Sequence, residues 1–138
     1  MDAYQIRTEP DHYEPFNIAQ AYRVENVIYM SGQIALTLEG DIVGEGDIEV
    51  QARQAFENIR AVLQKDGSDL DKIFKMTVYL TDMANTQKYT VVRNSMITAP
   101  FPAETLVQVS ALALPPLLIE IDAMALVKGT LQPPLPQK

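Results

Sequence analysis

Cysteine is absent from this 138-residue chain, which excludes disulfides, thiolate metal sites and a cysteine nucleophile. Histidine occurs once. His12 stands beside Asp11 in a polar N-terminal segment, and nothing near it supports a zinc site or a Ser-His-Asp triad. It reads as a solvated surface residue. Basic residues are few: 11 Lys and Arg against 18 Asp and Glu give a net charge of −7, and they are scattered singly. Such a surface repels phosphate backbones, so nucleic acid is not an expected partner. No apolar run approaches a membrane span, and the N-terminus shows neither a basic start nor an apolar core of a signal peptide. The expectation is a cytoplasmic protein with no membrane partner.

What is present is a large apolar content, 47% of residues, enough for one domain with a real core rather than a disordered chain. Domain boundaries are expected at 1–128, followed by a Pro-rich tail at 129–138.

Periodicity assigns the elements. Tyr4–Arg7 fits a short edge strand, and residues 11–15 a loop limited by Pro10 and Pro15. Residues 19–24 and 27–30 flank the polar pair Glu25-Asn26 and predict a β-hairpin. Ser31-Gly32-Gln33 follows, where Gly allows close backbone approach by a ligand or a chain, or a bulge. The Gly-containing loop 36–46 has no Lys-Ser/Thr after its glycines and is not a phosphate loop. Asp47 is a candidate N-cap. Ala52, Ala55, Phe56, Ile59, Val62 and Leu63 then repeat at helical spacing, and Gly67 ends the helix. Residues 73–81 alternate with period two, with Phe74, Met76, Val78 and Leu80 on one face. Asp82 is expected to cap a second helix whose stripe is Tyr89, Val92 and Met96.

Residues 102–127 hold two apolar runs around Leu114-Pro115-Pro116 and read as a terminal β-hairpin. The order is β-β-α-β-α-β-β, an α+β fold with two helices on one face of a mixed sheet. In the last strand Ile119, Ile121, Ala123 and Ala125 form the row that faces the helices. Leu118, Glu120, Asp122, Met124 and Leu126 face away. That second row is too apolar for water yet holds two acids, so it predicts oligomerisation through the uncovered face, with the acids in or beside an intersubunit cleft.

The segments Asn26–Gln33 (NVIYMSGQ), Gln54–Gly67, Lys75–Met83, Pro102-Ala103 and Ile119–Ala125 (IEIDAMA) resemble the RidA/YjgF reactive-intermediate deaminase family, also called L-PSP-like proteins. The similarity runs from about Phe16 to Val127. The resemblance implies a chorismate-mutase-like subunit, a homotrimer whose sheets form a central barrel, and small-molecule clefts between subunits, with no cofactor or metal. Family members hydrolyse enamines and imines such as 2-aminoacrylate to a keto acid and ammonia. Ser31 and Gly32 match the cleft lining, and Glu120 matches the Glu that activates or positions water. The carboxylate-gripping Arg after Pro-Ala is replaced here by Glu104. The position of a cleft-closing Tyr, counted back from Ser31, holds Ile18. A polar amide of the second helix is Thr90. The chain is thus a divergent member. A 2-imino acid carboxylate against Glu104 would be repelled by on the order of a few kcal/mol at short range.

Two readings stay open. One is an imine or enamine deaminase with an altered, neutral or cationic substrate, in which Glu104 and Glu120 act as a carboxylate pair. The other is a non-catalytic small-molecule-binding trimer. A third, ribonuclease or translation inhibition, has no chemical support in an acidic chain without Cys and with a lone His. Each acid also has a structural reading: Glu120 bonded to backbone or hydroxyl groups, Asp122 paired with Lys75, Glu104 solvated at a rim.

Overall fold

A computed structural model describes residues 1–137, so Lys138, the end of the Pro-rich tail, lies outside it. Helix α1 spans Ile48–Gln64. Its N-cap is Asp47, whose carboxylate accepts from the N–H of Glu49 at 3.1 Å and of Val50 at 3.2 Å. All six predicted stripe residues are fully buried. Two polar residues share the stripe. Gln51 donates to the Pro116 carbonyl (2.9 Å) and accepts from the Leu118 N–H (2.7 Å). Asn58 donates to the carbonyls of Ile34 and Leu36. Their burial is tolerated because these amides are bonded, and they tie two loops to the helix.

The strands are β1 (Ala3–Ile6), β2 (Ala21–Val24), β3 (Val27–Met30), β4 (Gln33–Ile34), β5 (Ile73–Leu80), β6 (Ala103–Gln108) and β7 (Ile119–Leu126). The sheet order is β1-β2-β3-β7-β5-β6, with β4 pairing β7 beyond the end of β3. Only β5 and β6 run parallel. The β2–β3 hairpin turns at Glu25-Asn26, as expected. Helix α2 spans Thr86–Met96. It packs beside α1, with Phe56 and Tyr89 stacked at 6.4 Å between ring centroids.

The alternation of β7 holds: Ile119, Ile121, Ala123 and Ala125 are buried under the helices, and the intervening row is half-buried. In β5 the apolar face is Met76, Val78 and Leu80, but Ile73 replaces Phe74 at the start, because a bulge between Ile73 and Lys75 shifts the register. Asp82 caps a 3-10 turn at Met83–Asn85 just before α2, not the helix itself.

The terminal hairpin does not form. β5 lies between β6 and β7, parallel to one and antiparallel to the other. The crossover through α2 delivers β6 to the outer side of β5, and residues 109–118 then carry the chain back past β5 to its other side. The proline turn at Leu114 survives inside that connection, with the Leu117 N–H bonded to the Leu114 carbonyl at 3.1 Å.

Candidate functional site

Glu120 stands on β7 opposite Tyr79, on the face away from the helices. Its side chain lies against the main chain of Gly32. A Cβ at position 32 would come within 2.6 Å of the Glu120 Cδ, so any larger residue there would displace the Glu120 carboxylate. Ser31 precedes it, with its hydroxyl directed at the carbonyls of Ala19 (2.9 Å) and Gln20 (3.0 Å).

The N-terminal loop closes over this pair. Arg7 reaches Asp11 at 3.5 Å and Glu14 at 2.6 Å, and Asp11 accepts from the Tyr13 N–H at 2.9 Å. Tyr13 is thereby turned inward, and its hydroxyl donates to the Gly32 carbonyl. Asn17 takes a left-handed conformation (φ 57°), which a short polar side chain tolerates, and swings Ile18 to the rim.

The result is a cavity of about 450 Å³. Tyr13, Phe16 and Ile18 form one wall, Ile34, Ala113 and Leu114 the other, and Ser31, Gly32 and Glu120 the floor. Asn58 holds the loop that carries Ile34. Among the described residues Glu120 is the one acid in the lining, and neither Lys, Arg nor His borders it. Burial, aided by the charge of Asp122, pushes the Glu120 carboxyl above its ordinary range. Burial, with the nearby Glu120 charge, also pushes the Tyr13 phenol up, so it stays protonated.

Behind the aromatic wall lies a surprise. His12 is not solvated: it is 2% exposed. Its Nδ1 lies 3.0 Å from the Gln20 amide nitrogen and its Nε2 lies 2.9 Å from the Gln33 amide oxygen. With Nδ1 accepting and Nε2 donating, this is a neutral imidazole. Its ring stacks on Tyr13 at 4.1 Å between centroids. The loop between the prolines packs inward because its polar groups meet buried glutamines, which a local reading of a polar segment does not foresee. Burial lowers the His12 pKa, opposed by the Gln33 bond and by Asp11.

The structure therefore gathers Ser31, Gly32, Ile18 and Glu120 at one cleft. Within one chain Glu104 and Thr90 lie elsewhere. Thr90 is exposed on α2, its hydroxyl bonded to the Thr86 carbonyl. Glu104 sits on β6 opposite Met76, on the helix side of the sheet. There it accepts from the Tyr89 hydroxyl at 2.7 Å and pairs with Arg93 at 2.9 Å. Arg93 in turn lies over the Phe101 ring at 5.3 Å. Glu104 and Glu120 do not form a carboxylate pair in one chain, and Glu104 is ion-paired rather than merely solvated. Asp122 accepts from the Tyr79 hydroxyl at 3.0 Å, where Lys75 was the expected partner. Tyr13, Phe16 and Leu114 are lining residues that the sequence reading passes over. Two aromatics beside Pro15, in an otherwise polar loop, were the available signal for the first two.

Comparison with known proteins places these features. The sequence profile of the family described as endoribonuclease L-PSP matches residues 7–127. A RutC family protein of Pyrococcus abyssi is 36% identical over 107 residues, covering 78% of this chain and 84% of that protein. A 2-iminobutanoate/2-iminopropanoate deaminase of Dermatophagoides farinae is 30% identical over 94 residues, covering 68% of this chain and 73% of that one. Among solved structures, YyfA of Yersinia pestis, described as a member of the conserved Rid protein family, superposes with a TM-score of 0.84 at 34% identity, covering 91% of this chain and 99% of that one.

Proposed function

The chain belongs to the endoribonuclease L-PSP family, the RidA/YjgF group, and on that premise we propose that it hydrolyses an imine or enamine other than 2-aminoacrylate. The observation that carries this reading is Glu120: a carboxylate with no protein donor among the described residues, on the floor of an otherwise apolar cavity. In the reaction, Glu120 accepts a proton as water adds to the C=N carbon and returns it to the nitrogen, which regenerates the carboxylate. The carbinolamine so formed loses ammonia, and the C=O product remains: one water consumed, one C–N bond broken, no redox change. The relative from Dermatophagoides farinae, by its name, acts on 2-imino acids. Among the described residues the lining of this cleft has no cation to hold such a carboxylate, which favours a substrate without one.

The assembly we propose is a homotrimer. The sheet face away from the helices leaves Tyr22 and Tyr29 more than 40% exposed and Val107 36% exposed, beside half-buried Met124 and Leu126. Burying such a face is favourable by about 25 cal/mol per Å² of apolar area.

Ribonuclease chemistry has no group to carry it here, since both nitrogens of His12 are occupied inside the fold. The test is ammonia release from imines generated in situ, one series bearing a 2-carboxylate and one lacking it, against the spontaneous rate. Acceleration of the second series supports the proposal. No acceleration of either leaves the cleft as a binding site without turnover and removes the deaminase reading.

A further inference from the structure

The side chains of the Glu120 cavity can accept hydrogen bonds but have almost nothing to donate. The Tyr13 hydroxyl hydrogen is committed to the Gly32 carbonyl, and that of Ser31 to the carbonyls of Ala19 and Gln20. Their oxygens keep lone pairs for a further donor. Glu120 adds a carboxylate that lies against the main chain of Gly32. Around these acceptors, Phe16, Ile18, Ile34 and Leu114 supply an apolar sleeve. A polyol or a phosphate would leave its groups unpaired on such walls, and an anion would meet Glu120 unscreened. The aromatic faces of Tyr13 and Phe16 favour positive charge.

We infer that this cavity is a site for a small organic cation with an apolar substituent, an alkylammonium or iminium ion, held by Glu120 at its head and by Phe16, Ile18 and Leu114 along its chain. This deepens the proposed function and rests on it in taking the same cleft: the imine enters protonated, and its iminium N–H group is what the floor recognises. It also separates this chain's cleft from one built to grip a carboxylate. Among the described residues, the hollow beside the N-terminal loop is mostly polar and holds Arg7 next to its acids. The hollows along α1 are bordered by Asp47, Glu49, Arg53 and Glu57 at the solvent-exposed surface, without an apolar sleeve.

Binding can be measured without turnover. Calorimetric titration of the full chain with 3-methylbutylammonium, its isosteric carboxylate 4-methylpentanoate, and ammonium chloride is the experiment. The alkylammonium is expected to bind saturably with one site per chain, and the carboxylate and bare ammonium at least about tenfold more weakly. Glu120→Gln should weaken the alkylammonium about tenfold or more, a loss of about 1.4 kcal/mol. Ile18→Lys, at an exposed rim position where folding is not at stake, should reverse the preference toward the carboxylate. Equal or tighter binding of the carboxylate by the wild type would overturn the inference, as would Glu120→Gln with unchanged alkylammonium affinity. Cation binding without imine hydrolysis would sink the deaminase reading alone. Hydrolysis accompanied by carboxylate preference would sink this inference alone.

Discussion

Glu120 and Glu104 flank β5, one on each neighbouring strand, and their surroundings are opposite. Glu104 faces the helices and is met by the Tyr89 hydroxyl and the Arg93 guanidinium, so its charge is answered within its own chain. Glu120 faces away, presses on Gly32, and receives no protein hydrogen bond among the described residues. Burial lifts its pKa with nothing to offset it, and Asp122 adds to the effect. The first carboxylate joins α2 to the edge strand. The second is held in a state that a ligand, a water or a proton would relieve, which is the condition for chemistry. A carboxylate's role is set by which donors share its face of the sheet.

The largest break in this contrast is expected from Glu120→Gln. Imine hydrolysis should fall by about 10²–10⁴, the range for a lost general base, while thermal stability is unchanged or higher because a desolvated charge is gone. A variant that hydrolyses at the wild-type rate would show that Glu120 does not take the proton. Next is Gly32→Ala. The added methyl pushes the Glu120 carboxylate aside, so alkylammonium binding should be lost in calorimetric titration while denaturant unfolding changes little.

Glu104→Ala tests the other side. It strips the partner from a largely buried Tyr89 hydroxyl and from Arg93, and about 1–3 kcal/mol of stability should go with it. Combined with Tyr89→Phe, the loss should be less than additive, because both changes remove the same bond. Restoring an arginine by Glu104→Arg alone would set two guanidiniums together. Any search for gained 2-imino acid activity should therefore pair it with Arg93→Glu.

Smaller effects concern pH. The Glu120 pKa is raised on folding, so its favourable share of stability is complete below the ordinary carboxylate value and is lost as pH rises through the folded pKa. The advantage of Glu120→Gln over wild type should therefore be absent below about pH 4.5 and grow above it. His12 has the opposite sense. Its pKa is lowered, so its contribution is intact above the unfolded value near 6.5 and is lost as pH falls below that toward the folded value. Wild type should lose stability between neutral and mildly acidic pH, and His12→Gln should flatten that slope. An equal slope in both would mean that folding does not shift the His12 pKa.

Much of the fold was legible because it rests on local spacing. The α1 stripe repeats at 3.6 residues and the β7 rows at two, and each periodicity commits a face whatever the rest of the chain does. The Asp47 cap and the Glu25-Asn26 turn are equally local. The pairing of residues 102–127 was not legible. Two apolar runs about a proline turn look the same whether they pair with each other or with a strand inserted between them, and only the α2 crossover decides. The site divided in the same way. Ser31, Gly32 and Glu120 stood in readable motifs, whereas Tyr13 and Phe16 reach the cleft only because Arg7 and the buried His12 network fold their loop inward.

The face of Glu120 is legible from local pattern alone, since strict alternation with Ile119 and Ile121 places it away from the helices. What meets it there follows from packing: a glycine backbone, a phenol committed elsewhere, and no cation among the described residues. The physical reason is that orientation follows from the two-residue repeat of one strand, while partners come from segments distant in sequence, brought together by sheet order and loop closure. Glu104 makes the same point from the other side, for Tyr89 and Arg93 become its partners only when α2 packs over β6.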